Sequence, residues 1–468
     1  MKNIHLFKKT IDRELIVNGS LLSAILCLSI PIIFNNFLQT LYNLTDTYWL
    51  GKIGKESVAA ITVVTPVQNV IIQFGQGISL AGSVLISQFF GAKDNENARD
   101  MAEHVFASSM IFSFAAAFIC FVSSSAIVNW LGAEGAVNSS ARIYLRIIVL
   151  DMPFLFMINL YSAVNQAQGN TVTPMLLNLL GIAVNIVMDP LLMFGLNMGI
   201  TGAALATLSA KIPGAVIAFI SLTNKKKLIH IDLFNMHIKT DKLKTIVKVG
   251  LPTALGGSTM QFGFLLIAKN VLKYGDAATA AYGIGNRVNG IITLPSTAVG
   301  SAVATIVGQN IGARKRDRAE QAYKLACLMS VAFLFVCGMI LSRSFVNRPI
   351  VNIFANGDED VLSMGSMFVS IMAFWCFTNG VYNSTSGLFQ GSGHTMVNMV
   401  VDASRLWVFR LATIWTCENI FHMQEQSIWY AVVVSNGIGA AMLFIAYRLG
   451  IWKKDIIKHK NVQPQGNL

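Results

Sequence analysis

The 468-residue sequence is poor in charge: Asp, Glu, Lys and Arg make up only 12% of it, about half the share usual in soluble proteins. Hydrophobic residues make up 54%, and the mean hydropathy is +0.58. This composition excludes an ordinary soluble domain and predicts a polytopic membrane protein. The net charge of +12 does not indicate nucleic acid, because the basic residues lie in short loops between apolar runs.

The sequence also lacks the motifs of common enzymes. It has no H-E-x-x-H, G-x-S-x-G, Walker A or dinucleotide fingerprint in a fitting context, so we expect neither an enzyme nor a cofactor. The six cysteines lie inside apolar runs without C-x-x-C spacing, which argues against a zinc site and a disulfide framework.

An internal repeat organises the apolar runs. A shift of the sequence along itself by 221 residues aligns identical residues without a gap, among them Pro31 and Pro252, Gln88 and Gln309, and Gly91 and Gly312. Each half contains six apolar spans. The repeat therefore predicts an all-α integral membrane protein of twelve transmembrane helices, in two parallel, pseudo-symmetric six-helix lobes.

The loops between the spans give the domain limits and the orientation. We predict a leader (1–19), an N-lobe of helices 1–6 (20–224), a linker (225–241), a C-lobe of helices 7–12 (242–450) and a tail (451–468). The Lys- and Arg-rich loops all fall on the side of the N-terminus, and the opposite loops hold Glu134, Asp358-Glu-Asp360, Glu418 and Glu425. The positive-inside rule then predicts a multi-pass protein of the cell inner (plasma) membrane with both termini in the cytoplasm.

Two acids interrupt the apolar spans of the first half. Asn185 and Asp189 stand four residues apart, so a helix places both on one face, and Asn178 continues that stripe. A second stripe on helix 1 ends in the other acid: Asn35, Gln39, Tyr42 and Asp46. An ion in such a run is unfavourable unless it is paired, hydrated or protonated. We predict a functional pair, the alternative being an acceptor of structural hydrogen bonds between helices.

Charged residues in the second half suggest a structural role. Asp402 and Arg405 stand three apart in an apolar stretch, which favours an internal ion pair. Lys211, in helix 6, is interpreted as a helix-end side chain that reaches polar surroundings or as an internal partner. At the 221-residue shift, Arg410 stands where Asp189 stands in the first half, so the two halves differ in chemistry.

Pro31 lies inside helix 1, about four turns before Asp46. A proline within a helix removes one backbone hydrogen bond and permits a bend. We therefore predict that helix 1 has a hinge at Pro31.

These features resemble the multidrug and toxic compound extrusion (MATE) family, of the multidrug/oligosaccharidyl-lipid/polysaccharide flippase superfamily. The resemblance covers nearly the whole chain and is carried by four motifs in order: Tyr42-Asn-Leu-Thr-Asp46-Thr, Asn185-Ile-Val-Met-Asp189-Pro, Gly202-Ala-Ala-Leu-Ala-Thr207 and Gly308-Gln-Asn-Ile-Gly-Ala313. It implies a V-shaped pair of lobes. It also implies a secondary antiporter that exports amphipathic, often cationic drugs or toxic organic compounds in exchange for protons or sodium ions.

The resemblance also implies site residues. The family's N-lobe cation site maps to Asp46, Asn159, Asn185, Asp189 and Thr207, and these residues are the expected ligands if the ion is sodium. Their oxygen atoms suit a hard cation, and a protonated carboxyl pair would fit as well, so proton and sodium both remain open. Pro31 matches the family's helix-1 bend. The stretch 256–261 on helix 7 has no acid, unlike one branch of the family.

Two other functions are weighed against export. A flippase for a lipid-linked oligosaccharide should line its cavity with basic residues, whereas the stripes of the first half are acidic and rich in amides. A channel or sensor would not need two coupled acids in one half. We predict that the substrate cavity lies at Asn35, Gln39, Tyr42 and Asn178. The expected partners are small organic molecules and the lipid bilayer, and we expect a monomer.

Overall fold

A computed structural model describes residues 13–355, 357–454 and 456. Residues 1–12 of the predicted leader, and residues 455 and 457–468 of the predicted tail, lie outside the described part. Within the described residues every regular element is a helix, and there is no strand. This confirms the all-α prediction.

Six long helices form the first half and run alternately up and down. They are α1 (Leu21–Ile53), α2 (Lys55–Gly91), α3 (Asn95–Val122), α4 (Gly135–Ala167), α5 (Val172–Gly195) and α6 (Gly199–Thr223). Each is long and apolar enough to cross a membrane. The last turn of α5, Leu191–Gly195, is a π-helix that follows Pro190.

The second half repeats this order. It contains α7 (Thr240–Leu272), α8 (Asp276–Gly312), α9 (Arg316–Leu341), α10 (Glu359–Trp375 and Phe377–Gly391), α11 (395–419) and α12 (Gln426–Arg448). The two parts of α10 meet at 53°. In the described residues, ten helices meet the length and hydropathy of a membrane span, and bent α10 makes an eleventh. The remaining segment, α11, carries four charged residues and a π-helix at Ser404–Arg410.

Each half packs around its own core, but α1 and α7 are shared between the halves. Ala24, Ile25 and Leu28, near the start of α1, are fully buried among residues of α8, α9 and α10. At the equivalent place in α7, Ile246 and Val249 are buried among residues of α2, α3 and α4. We call α1–α6 the N-lobe and α7–α12 the C-lobe, and the first turns of α1 and α7 join them.

The lobes touch most closely at the end where α2 and α8 terminate, here called the basic end because the loops 225–248 and 314–318 lie there. Gln88 of α2 donates to the carbonyl of Gly391 at 2.9 Å, and Gln309 of α8 donates to the carbonyl of Ala167 at 2.7 Å. The two glutamines occupy equivalent places in the repeat. Both contacts cross from one lobe to the other.

Glycine permits this approach. A Cβ atom built on Gly91 would lie 2.0 Å from the carbonyl oxygen of Gln309, and one on Gly312 would lie 1.8 Å from that of Gln88. No side chain fits at such distances. The basic end is therefore closed by backbone packed directly on backbone.

Candidate functional site

The N-lobe site is centred on two neighbouring polar residues of α5. Asn185 and Asp189 are 1% and 0% exposed, and the amide of Asn185 donates to Oδ1 of Asp189 at 3.2 Å. Their four-residue spacing places them one turn apart on one face. Since both lie in a membrane span, they form a buried polar site within apolar helices.

Asp46, the second acid, lies on α1 close enough to Asp189 for the two carboxylates to interact electrostatically. The phenol of Tyr42 is near both acids, and its hydroxyl approaches that of Thr207 on α6. Tyr144 of α4 is buried and also interacts electrostatically with both acids. Helices α1, α4, α5 and α6 therefore meet around the acid pair.

Two oxygen atoms at this site have no hydrogen-bond donor among the described residues. They are Oδ1 of Asn185 and Oδ2 of Asp189, and both are buried. Buried polar atoms are nearly always paired, and an unmet acceptor raises the free energy of the folded state by about 1–3 kcal/mol. Because both atoms are acceptors, a proton or a hard cation suits them and an anion does not.

A cavity adjoins the acid pair on the side of the amide stripe. It is a narrow, partly open cleft, in which water-sized molecules can occupy about 30 Å³. Gln39, Tyr42, Asn178 and Asn185 line it. Asn35 borders the same wall, since it accepts a hydrogen bond from Asn178 at 3.0 Å. The four residues predicted for the substrate cavity thus lie together.

Asn159 is less closely placed than the other predicted ligands. It is partly buried on α4, beside Ile158 of the cavity wall. Within the described residues, its amide forms no hydrogen bond with Asp46, Asn185 or Asp189. Thr207 donates its hydroxyl to the carbonyl of Ala203 at 3.2 Å and so keeps oxygen lone pairs for another partner.

Sequence reasoning missed another buried acid of the N-lobe. Asp151 of α4 is 1% exposed, and its Oδ1 has no hydrogen-bond donor among the described residues. Lys211 of α6 interacts with it electrostatically and also lines the cavity. The signal was present: Asp151 interrupts an apolar run just before Pro153, as Asp189 does before Pro190.

Pro31 lies between the two parts of α1. Leu28 precedes it in the C-lobe core, and Asn35 follows it at the contact with α5. The helix is continuous through the proline, from Leu21 to Ile53. A bend at this residue would change how the half that carries Asp46 meets the N-lobe.

Sequence comparison relates this architecture to known transporters. The family model described as MatE matches residues 31–191 and 252–416, one segment in each lobe. The chain belongs to the MATE family. Its division into two equivalent segments agrees with the repeat, and the resemblance drawn from the motifs is confirmed.

Relatives match this MATE chain over almost its full length. The probable multidrug resistance protein YpnP of Bacillus subtilis is 26% identical, with 93% of this chain and 96% of YpnP covered. The probable multidrug resistance protein NorM of Thermotoga maritima is 24% identical, with 98% and 99% covered. The chain is thus a member of a transporter family and not an enzyme.

Solved structures share the fold. The outward-facing conformation of a multidrug resistance MATE family transporter has a TM-score of 0.89 to this chain at 23% identity, with 95% of this chain and all of that chain covered. The two-lobe architecture of the MATE fold is confirmed by this similarity. The ten or eleven apolar spans in the described part make the MATE chain a multi-pass membrane protein.

Proposed function

We propose that this MATE transporter is a secondary antiporter that exports amphipathic, often cationic organic compounds in exchange for protons or sodium ions. One observation carries the proposal: two interacting carboxylates, with unmet acceptor atoms at Asn185 and Asp189, lie beside an amide-lined cavity. Because one cation can neutralise a shared pair of acids, drug binding and ion binding become linked.

The coupling ion binds at Asp46 and Asp189 in this account. For sodium, the two carboxylates, Oδ1 of Asn185 and the hydroxyl of Thr207 supply the oxygen ligands that a hard cation prefers, with Asn159 nearby on α4. For a proton, the interacting carboxylates titrate as a pair. The same residues serve either ion.

The substrate binds in the cavity next to the pair. Asn35, Gln39 and Asn178 offer amide groups, and Tyr42 offers an aromatic face close to two carboxylates. Such surroundings attract a flat organic cation by charge and by stacking. Three acids and one lysine face this part of the N-lobe, which favours positive over negative substrates.

Helix α1 couples the two events. Its first part is held in the C-lobe core, and its second part carries Asp46 and one wall of the cavity. If α1 bends at Pro31 when the acids are neutralised, the cavity narrows and the substrate leaves. The ion then drives export through differential affinity for the bent and straight forms.

The orientation in the membrane follows from charge. The basic end would face the cytoplasm, with both termini, by the positive-inside rule. The hydrogen bonds of Gln88 and Gln309 join the two lobes at that end, as expected for a state in which the cavity is closed to the cytoplasm. We place the protein in the plasma membrane as a monomer.

Dye export from cells that lack other pumps tests the proposal. Wild-type protein should lower the retention of ethidium or acriflavine when a sodium or proton gradient is present. Asp46→Asn and Asp189→Asn should each abolish export at unchanged expression, while Asp241→Asn, an exposed acid of α7, should export normally. Full export by either mutant of the pair would refute the site. Binding of a lipid-linked pyrophosphate but of no organic cation would indicate a flippase.

A further inference from the structure

A second buried charged cluster lies in the C-lobe and is formed by residues of α10, α11 and α12. Arg405 and Arg410 are 7% and 3% exposed. The carboxylate of Asp402 is 3.6 Å from Nη2 of Arg405 and accepts a hydrogen bond from Tyr382. The predicted Asp402–Arg405 pair is therefore present, but it contains only part of the cluster.

The two guanidinium groups share one neutral acceptor. Nη1 of Arg405 donates to Oδ1 of Asn436 at 3.2 Å, and Nη2 of Arg410 donates to the same oxygen at 2.9 Å. Arg410 donates in addition to Ser435 at 2.8 Å. One carboxylate thus stands against two guanidinium charges, and the hydrogen-bonded groups of the described residues leave an excess of one positive charge.

Donors also exceed acceptors at this place. Nε of Arg405 is buried and has no acceptor among the described residues. The other side of the guanidinium faces Tyr382, whose ring centroid is 4.6 Å away, and Nη2 approaches the sulfur of Met260 at 3.9 Å. Arginine cannot neutralise itself by losing a proton, so its charge must be met by a partner.

The place of the cluster in the repeat mirrors the N-lobe site. Arg410 is the equivalent of Asp189 at the 221-residue shift, and α12 packs on α11 as α6 packs on α5. A π-helix interrupts both α5 and α11 near these residues. Equivalent positions thus carry opposite charge in the two lobes. Among the described residues, the N-lobe site leaves two acceptors of Asn185 and Asp189 unmet, and the C-lobe cluster leaves a donor of Arg405 unmet.

We propose that the C-lobe cluster binds a small monovalent anion, chloride or a carboxylate group, between Arg405 and Arg410. The anion would accept from Nε of Arg405 and balance the second guanidinium, and Asn436 would orient the pair. Asp402, Tyr382 and Asn436, which border the cluster, are only partly buried, so the cluster is not sealed on every side by protein. The proposal does not depend on drug export or on the acid pair of the N-lobe.

Thermal unfolding of the purified protein in detergent tests the site. Chloride replaces the bulky sulfonate MES stepwise, with sodium concentration and ionic strength held constant, and a parallel series uses acetate. We expect a saturable rise of Tm with chloride, with acetate, or with both. A response to chloride alone indicates a halide site, and a response to acetate indicates a site for carboxylates.

Variants separate this site from general salt effects. Arg410→Gln should weaken the apparent anion affinity about tenfold or more, since truncating one partner of a buried charge pair typically has at least that effect. Arg348→Gln, an exposed arginine that pairs with Glu359 at 3.2 Å, should respond like the wild type.

A third variant acts in the opposite direction and keeps the test valid if Arg410→Gln does not fold. Asp402→Asn removes the one carboxylate of the cluster and should tighten anion binding. The proposal is overturned if wild-type Tm is the same in chloride, acetate and MES. It is also overturned if Arg410→Gln keeps the full anion response, or if Asp402→Asn weakens it.

Discussion

At the scale of single residues, the N-lobe site contains acids whose charges the surrounding described residues do not fully compensate. Asp189 and Asn185 each keep a buried oxygen without a donor, and Asp46 adds a second charge nearby. Isolated ions in a membrane interior are unfavourable by several kcal/mol. In the proposed mechanism, the site would therefore bind a proton or a cation more strongly than if its acids were fully paired within the protein.

Asp151 and Lys211 are expected to stabilise each other. Lys211→Gln removes the positive charge that compensates the buried carboxylate of Asp151, so it should lower the free energy of unfolding. Asp151→Asn removes the negative charge that compensates Lys211 and should lower it as well. The double variant should recover part of the loss, with a coupling of about 1–3 kcal/mol in a double-mutant cycle of denaturant unfolding.

A second double-mutant cycle, between residues that do not interact, serves as the control for that coupling energy. Lys211→Gln combined with Asp241→Asn, an exposed residue in the first turn of α7, should be additive. Additivity of Lys211→Gln with Asp151→Asn would show that the two residues do not interact.

Sequence patterns predicted some of these residues and not others. Asp46 and Asp189 each close a polar stripe of helical period, so periodicity revealed them. Asp151 and Lys211 belong to no stripe, and their proximity comes from the packing of α4 against α6, which one sequence does not encode locally. Arg410 was visible only as a mismatch in the repeat, and its shared acceptor, Asn436, lies 26 residues away in the chain.

At the scale of helices, α1 is the element that joins the lobes and carries one of the acids. Its early turns lie in the C-lobe core, and Tyr42 and Asp46 lie at the N-lobe site. Pro31 separates the two parts. A helix with this position can transmit a change of charge at one lobe into a change of shape between the lobes.

Pro31→Ala should abolish the response of α1 to the coupling ion. Alanine restores the backbone donor that proline lacks and stiffens the helix at that turn. Spin labels at Phe34 and Leu50, each referenced to a label in the C-lobe, should report ion-dependent distances in the wild type and fixed distances in Pro31→Ala. Equal ion-dependent changes in both proteins, with equal transport, would contradict a hinge at this residue.

Local breaks within helices were beyond sequence reasoning. The 53° bend of α10 occurs at Cys376, with neither proline nor glycine from 373 to 379 to mark it. There, the thiol of Cys376 donates to the carbonyl of Leu334 at 3.0 Å, so packing against α9 accompanies the bend. The π-helices of α5 and α11 likewise lack a specific sequence signal.

At the scale of the whole molecule, the repeat predicted two lobes of six helices, and the MATE fold has them. Hydropathy defined most spans because a membrane requires long apolar helices with internally satisfied backbone. The repeat alone did not reveal that the first turns of α1 and α7 pack into opposite lobes. That exchange brings residues far apart in the chain into one core, such as Ile25 and Val303 for α1 and Val249 and Ala81 for α7.

Closure of the basic end should depend on Gly312. A side chain there would meet the backbone oxygen of Gln88, so Gly312→Ala should favour a state in which this end is open. Spin labels at the exposed residues Glu96 and Asp317 should move apart in this variant. Gly290→Ala is the matched control on the same helix, because its Cβ would meet no atom within 4 Å. Identical label distances in both variants and the wild type would show that the close glycine contact does not hold this end shut.

The central claim is that Asp46 and Asp189 couple ion flow to export. Its most direct measurement uses purified protein in liposomes, with an imposed sodium or proton gradient as the sole energy source and accumulation of a fluorescent organic cation as the readout. Wild-type protein should accumulate the cation against its gradient with one of the two ions, and Asp189→Asn should reduce accumulation at least to the level of an ion-free control while still folding. Gradient-driven accumulation by Asp189→Asn equal to the wild type would contradict the account.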